Sequence, residues 1–213
     1  MPAPAIKICG ITTAETLAAV IAGRADYVGF NFYARSPRSV SLDQVKSLAA
    51  QAAGRVSRVG LFVDDDDAAI GAALGAAQLD VLQLHGSESP ARVAQLRAGL
   101  GMPVWKVISV ATRADLARAA DYAGAADFIL LDAKTPKGAL PGGLGLAFDW
   151  ALLSGWKAPL PWGLAGGLTA ANVGAAIALT GAPLVDTSSG VETAPGVKDP
   201  ALIAAFCAAA RAG

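Results

Sequence analysis

The stretch AIKICGITTAETLAAVIAGRADYVGFNF (residues 5–32) decides the fold. AIKIC (5–9) is a short β-rich run. TAETLAAVIAG (13–23) then spaces its apolar residues at helical period, and YVGFNF (27–32) is β-rich again. Thr13 stands where a helix N-cap sits and Gly23 where a C-terminal cap sits. Working outward, the same order recurs. Strand-like runs lie at 56–63, 79–84, 103–110, 127–132, 161–165 and 182–187. Helix-like runs lie at 41–54, 67–77, 89–101, 112–124, 148–155, 169–181 and 199–212. Ser41, Ser89, Thr112, Thr169 and Asp199 are the further N-cap candidates, and Gly54, Gly124 and Gly181 the further C-terminal ones. Eight strand–helix pairs in 213 residues leave about 27 residues per pair, enough for parallel strands joined by helical crossovers. This is the pattern of a (β/α)8 TIM barrel. A doubly wound open sheet has the same order, and periodicity alone does not separate the two. No linker or composition break interrupts the run, so residues 1–213 read as a single domain.

Composition narrows the function classes. Lys+Arg and Asp+Glu both number 17, so the formal net charge is zero, which argues against a nucleic-acid partner that needs a strong positive field. Two cysteines exclude a disulfide-built scaffold. No apolar run is long enough for a membrane span, and MPAPAIKICG has no signal-peptide core, so a cytoplasmic protein is expected. Ala and Gly together make up about a third of the chain, as suits close helix-on-sheet packing.

In either α/β architecture ligands bind beyond the carboxyl ends of the strands. The unusual residues fall there: Cys9-Gly10, Tyr33 to Arg38, Asp64, Gln83-Leu84-His85-Gly86, Asp132, Gly166-Gly167, and Asp186 to Glu192. His85 is the sole histidine. Gly166, Gly167, Ser188, Ser189 and Gly190 follow the seventh and eighth strands, where barrels often hold a phosphate on backbone N–H groups. Asp64-Asp65-Asp66-Asp67 reads as a solvated helix N-terminus. It lacks the glycine and alternating ligands of a calcium loop, and Asp64 alone is a candidate to face the pocket. Cys207, in an Ala-rich helix, reads as buried and inert.

Lys7-Ile8-Cys9-Gly10-Ile11-Thr12 resembles the opening signature of phosphoribosylanthranilate isomerases, enzymes of tryptophan biosynthesis. Ser36-Pro37-Arg38, Val59-Gly60-Leu61-Phe62-Val63, Gln83-Leu84-His85-Gly86, Leu131-Asp132-Ala133, Ala165-Gly166-Gly167-Leu168 and Asp186 to Glu192 continue the similarity along nearly the whole chain. The chain departs from the family pattern at Leu144, where a polar group is more usual. The resemblance implies an Amadori rearrangement of N-(5-phosphoribosyl)anthranilate to 1-(2-carboxyphenylamino)-1-deoxyribulose 5-phosphate. One general acid and one general base are enough for it, with no cofactor or metal. The resemblance makes Asp132 the acid and Cys9 the base. It gives Arg38 the anthranilate carboxylate and Asp186 the sugar or its amine, with His85 and Gln83 lining the pocket. A cation such as Lys7 is needed to favour the Cys9 thiolate. The expected partner is this small molecule, and the chain is expected to act as a monomer or homodimer. Two rival readings follow other chemistry. Indole-glycerol-phosphate synthase would want catalytic Lys and Glu at strand ends, and a pentose-phosphate epimerase would want histidine metal ligands. A non-catalytic sugar-phosphate binder would bind without turnover.

Overall fold

The structure, a computed structural model, describes residues 3–134, 145 and 148–213. The strands β1 (Ala5–Cys9), β2 (Tyr27–Asn31), β3 (Ser57–Phe62), β4 (Val81–Leu84), β5 (Val104–Val110), β6 (Phe128–Ala133), β7 (Trp162–Leu164) and β8 (Leu184–Thr187) are all parallel and pair in chain order. β8 returns to pair with β1, so the sheet is a closed barrel and the open-sheet alternative falls. The helices are α1 (Ala14–Ala22), α2 (Leu42–Ala52), α3 (Asp67–Ala77), α4 (Pro90–Leu100), α5 (Arg113–Ala117), α6 (Val173–Thr180) and α7 (Pro200–Ala212). No helix among the described residues is long and apolar enough to cross a membrane.

The strands carry apolar residues without strict alternation because both faces are covered. One set, including Ile6, Ile8, Val28, Phe30, Leu82 and Ile129, faces the helices. The alternate set, including Val59, Val81, Trp105, Val107, Leu130 and Leu184, fills the barrel as a separate cluster. Successive strand residues point to opposite faces, so Lys7 and Cys9, in step with Ala5, point inward. The same parity puts Gln83 and His85 (from Val81), Asp132 (from Leu130) and Asp186 (from Leu184) inside.

Three helices differ from expectation. The segment 112–124 is α5 followed by a 3-10 turn (Arg118–Tyr122), a tightening that seats the Tyr122 ring in the core. The segment 148–155 is only a 3-10 turn (Trp150–Leu153) opened by Asp149, and the chain is already extended at Ser154. Thr169 does not cap α6. The helix starts at Val173, and Asn172 at its N-cap makes no cap hydrogen bond. The Asn172 side chain instead accepts from Thr169 N–H at 2.8 Å and donates to the Gly167 carbonyl at 2.9 Å, folding the loop after β7. The other five cap residues, Thr13, Ser41, Ser89, Thr112 and Asp199, each accept from the first turn of their helix. A two-stranded hairpin, β9 (Glu192–Ala194) and β10 (Val197–Lys198), was not expected. It needs Gly196 at φ 83°, where a Cβ would lie 2.5 Å from the Pro37 carbonyl oxygen. Leu144 lies outside the described residues.

Asp199 accepts from both Ala201 and Leu202 N–H. Asp199→Ala is therefore expected to cost about 1 kcal/mol in urea denaturation, whereas Thr169→Ala costs less than about 0.5 kcal/mol.

Candidate active site

The inward, carboxyl-terminal ends of the strands assemble the site. Lys7 and Asp186 are register partners on neighbouring strands. The Lys7 ammonium, fully buried, donates to Asp186 Oδ1 at 3.1 Å. Cys9 sits one layer above Lys7 and opposite Gly29. A Cβ on Gly29 would lie 2.7 Å from the Cys9 sulfur, so that glycine makes room for the thiol. Asp132 ends β6. β7 and β8 lie between it and Cys9 the shorter way round, so the two are close to, but not directly, opposite across the mouth. Both are buried.

The charges are coupled. Burial pushes the Cys9 thiol up, and Lys7, nearest in effect, and Lys198 pull it down without cancelling that rise. Burial also works against the Lys7 ammonium, but Asp186 and Cys9 outweigh it and lift its pKa. Burial pushes the Asp186 carboxyl up against the pull of Lys7, and the Asp132 charge adds to the rise. Lys7 is thus the cation that the thiol needs, in contact from below, yet in the ligand-free chain the thiol form is favoured.

His85 reaches Asp132, with Nε2 3.3 Å from Oδ2. The other Asp132 oxygen accepts from Ala133 N–H at 2.8 Å. His85 Nδ1 and Gln83 Oε1 are buried and have no hydrogen-bond partner among the described residues. These two atoms are polar groups that a ligand in the mouth could satisfy.

Arg38, in the loop after β2, packs over Gly10, whose missing Cβ and φ of 81° admit the arginine side chain. Its Nε and Nη2 both donate to Glu192 at 2.7 Å. Lys198 donates to the same carboxylate at 2.6 Å. Burial would raise the Glu192 pKa, but these two cations hold it below the usual range. Sequence reasoning missed Glu192 and Lys198 as a unit. Their signal was the acid and base flanking a Pro195-Gly196 turn, which brings them onto one hairpin.

The five phosphate candidates separate. Gly167, Ser189 and Gly190, with Thr169 and Arg38, line a recess of about 380 Å³ at the barrel mouth. Gly190 lies so close to the Leu168 carbonyl that a Cβ would overlap it. Gly166 does another job: at φ 88° it brings the loop down onto β6, where a Cβ would lie 2.6 Å from Ala133 N and 3.1 Å from Asp132 Oδ1. The Ser188 hydroxyl is engaged by protein, donating to the Cys9 carbonyl at 3.1 Å and accepting from Lys198 at 3.0 Å. Asp64 does not face the pocket as expected. Its carboxylate accepts from Ser87 N–H and hydroxyl, tying two loops together. Asp66 caps α3, as the acidic run suggested. Cys207 is buried and free in α7. A larger recess of about 590 Å³ between α1 and α7 is lined mainly by alanines and two arginines, away from the strand ends.

Comparisons with known proteins show which family the chain and its fold resemble. The family described as "PRAI: N-(5'phosphoribosyl)anthranilate (PRA) isomerase" matches residues 6–209. The N-(5'-phosphoribosyl)anthranilate isomerase of Paracoccus denitrificans is 56% identical over 211 residues, covering 99% of this chain and 98% of that protein. The crystal structure of the phosphoribosyl anthranilate isomerase from Thermotoga maritima superposes with a TM-score of 0.88 at 34% identity, covering 99% of this chain and all of that one. A structure of such an isomerase in complex with reduced 1-(o-carboxyphenylamino)-1-deoxyribulose 5-phosphate gives a TM-score of 0.86 at 32% identity, with 99% and 100% coverage.

The raised Cys9 pKa predicts slow alkylation by iodoacetamide at pH 7, with a midpoint above that of a free thiol in a pH series followed by peptide mass spectrometry. Lys7→Gln removes the nearest cation and is expected to move that midpoint higher still.

Proposed function

The chain belongs to the N-(5'-phosphoribosyl)anthranilate isomerase family, and from that membership we propose that Asp132 and Cys9 are its general acid and general base. The enzyme is an aldose–ketose isomerase of tryptophan biosynthesis that rearranges N-(5'-phosphoribosyl)anthranilate. The observation that carries the residue assignment is the placing of a buried carboxyl and a buried thiol at the carboxyl ends of β6 and β1, beside a recess lined by glycines of the loops after β7 and β8.

Asp132 protonates the furanose ring oxygen as the C1–O bond breaks, leaving an iminium at C1. The Cys9 thiolate then removes the proton from C2, and its electron pair moves to give the enolamine. The enolamine tautomerises to the ketone, losing the proton on O2 and gaining one at C1. The turn leaves Cys9 protonated and Asp132 ionised, so one proton passes from thiol to carboxylate before the next. The Lys7 ammonium beneath Cys9 favours the thiolate at the moment it is needed. The unpaired Gln83 Oε1 and His85 Nδ1 supply hydrogen-bonding capacity towards the bound substrate. Asp186 binds the sugar hydroxyl or amine. Arg38, oriented by Glu192, presents positive charge to the anthranilate carboxylate.

The backbone N–H groups around Gly167, Ser189 and Gly190 receive the phosphate. Gly166 and Ser188, both first candidates for that role, support it indirectly, the first by packing the loop and the second by tying it to β1. The whole activity resides in one domain spanning 1–213, acting in the cytoplasm as a monomer or homodimer.

Consumption of the fluorescent substrate by purified protein tests these roles. Cys9→Ala and Asp132→Asn are each expected to lower kcat by at least about 100-fold. Near wild-type turnover by either variant overturns its assignment. Arg38→Ala is expected to raise KM far more than Arg35→Ala, whose side chain is exposed. Equal effects overturn the role of Arg38.

A further inference from the structure

His85 is held from behind by a buried charge cluster outside the barrel. Lys106 lies on the outward face of β5, between the inward Trp105 and Val107. Its ammonium is almost wholly buried and donates to the carbonyls of Leu84 at 3.3 Å and Gly86 at 2.7 Å, the residues on either side of His85. It also pairs with Glu88 Oε2 at 2.8 Å. The other Glu88 oxygen accepts from Gly86 N–H at 3.2 Å and from Asp64 N–H at 2.9 Å. The Tyr122 hydroxyl donates to the Glu88 carbonyl at 2.8 Å, and the Lys106 ammonium lies 5.9 Å from the Tyr122 ring centroid. The His85 N–H itself donates to the Phe62 carbonyl at 2.8 Å.

Taking an ammonium and a carboxylate out of water carries a desolvation penalty that an apolar pair of similar volume would avoid. What the charges achieve here is geometric. One cation grips the two carbonyls bracketing a single residue, and one carboxylate grips the N–H next to it. That residue is the one whose ring meets Asp132. We propose that Lys106 and Glu88 are positioning residues, a clamp that fixes the backbone of 84–86 so that the His85 imidazole is presented to the Asp132 carboxyl. Neither residue touches the mouth of the barrel; both act through His85. The proposal rests on the reading of Asp132 as the general acid.

His85 is the only histidine of the chain, so its imidazole NMR signals need no assignment. They can be recorded for the full-length wild-type protein and for Lys106→Met, the double variant Lys106→Met/Glu88→Gln, and Asp132→Asn. Turnover of N-(5'-phosphoribosyl)anthranilate and Tm are measured in parallel. Lys106→Met leaves a buried carboxylate unpaired and lowers Tm. The double variant removes both charges and recovers much of that loss, so it carries the test if the single variant does not fold. In both Lys106 variants kcat is expected to fall about tenfold or more with KM within about threefold, and the His85 signals to move away from their wild-type positions. Recovery of kcat together with Tm in the double variant would assign the pair to stability alone and overturn the proposal. So would wild-type His85 signals with kcat within about twofold in either variant. Asp132→Asn separates the two readings. If it keeps its turnover, the general-acid assignment fails. If it loses turnover while the Lys106 variants keep theirs, only the clamp fails.

Discussion

Closing eight parallel strands into a ring gives every strand two covered faces, and the rest of the structure follows from this constraint. Outward residues must pack under helices and inward ones must fill a narrow lumen. The lower lumen is closed with Trp105, Val59, Val81 and Leu184. Above that plug the inward positions carry polar groups, and a charge placed there has to be balanced within the lumen. Lys7 and Asp186, level with each other on adjacent strands, supply that balance. Cys9 then inherits a cation beneath it because side chains two residues apart on a strand share a face.

The sequence made the fold legible because its strand and helix runs are short, regular and bounded by good caps. Five of six proposed N-caps bond to the first turn of their helix. Thr169 failed because Asn172, three residues on, uses its amide to fold the loop. No local pattern distinguishes a cap from a loop brace when both are short polar side chains after a Gly-Gly turn. The helix expected at 148–155 failed for a simpler reason: apolar spacing over eight residues fits a 3-10 turn as well as a helix.

The site was legible in its inward-pointing members and obscure where long-range pairing decides. Cys9, Asp132, Asp186, Gln83 and His85 could be picked out because they stand at the strand ends, and parity in the closed barrel turns all five inward. The role of Glu192 could not, since its partner Arg38 lies 154 residues away in the chain and the hairpin joining Glu192 to Lys198 has strands of only three and two residues. Ser188 is a phosphate candidate by position, and its hydroxyl bonds the Cys9 carbonyl and Lys198, a pairing no local pattern shows. The general lesson is chemical. A glycine or serine in a phosphate loop can either face the ligand or hold up the loop, and only its neighbours in space decide which.

The hairpin of β9 and β10 has one more consequence. Its Glu192 carboxylate sits against Arg38 and Lys198, while Lys7 is matched by Asp186 and Lys106 by Glu88. Among the described residues Lys7 thus has an acid of its own, Arg38 and Lys198 share one, and the chain as a whole carries no net charge. Charges paired at such short range cancel over distance, so the mouth projects only a weak field beyond the first hydration layers. An anionic ligand then arrives by ordinary diffusion, with little electrostatic steering, and is recognised only at contact. Its association rate should accordingly change little with ionic strength, unlike that of enzymes whose clefts are lined with uncompensated positive charge.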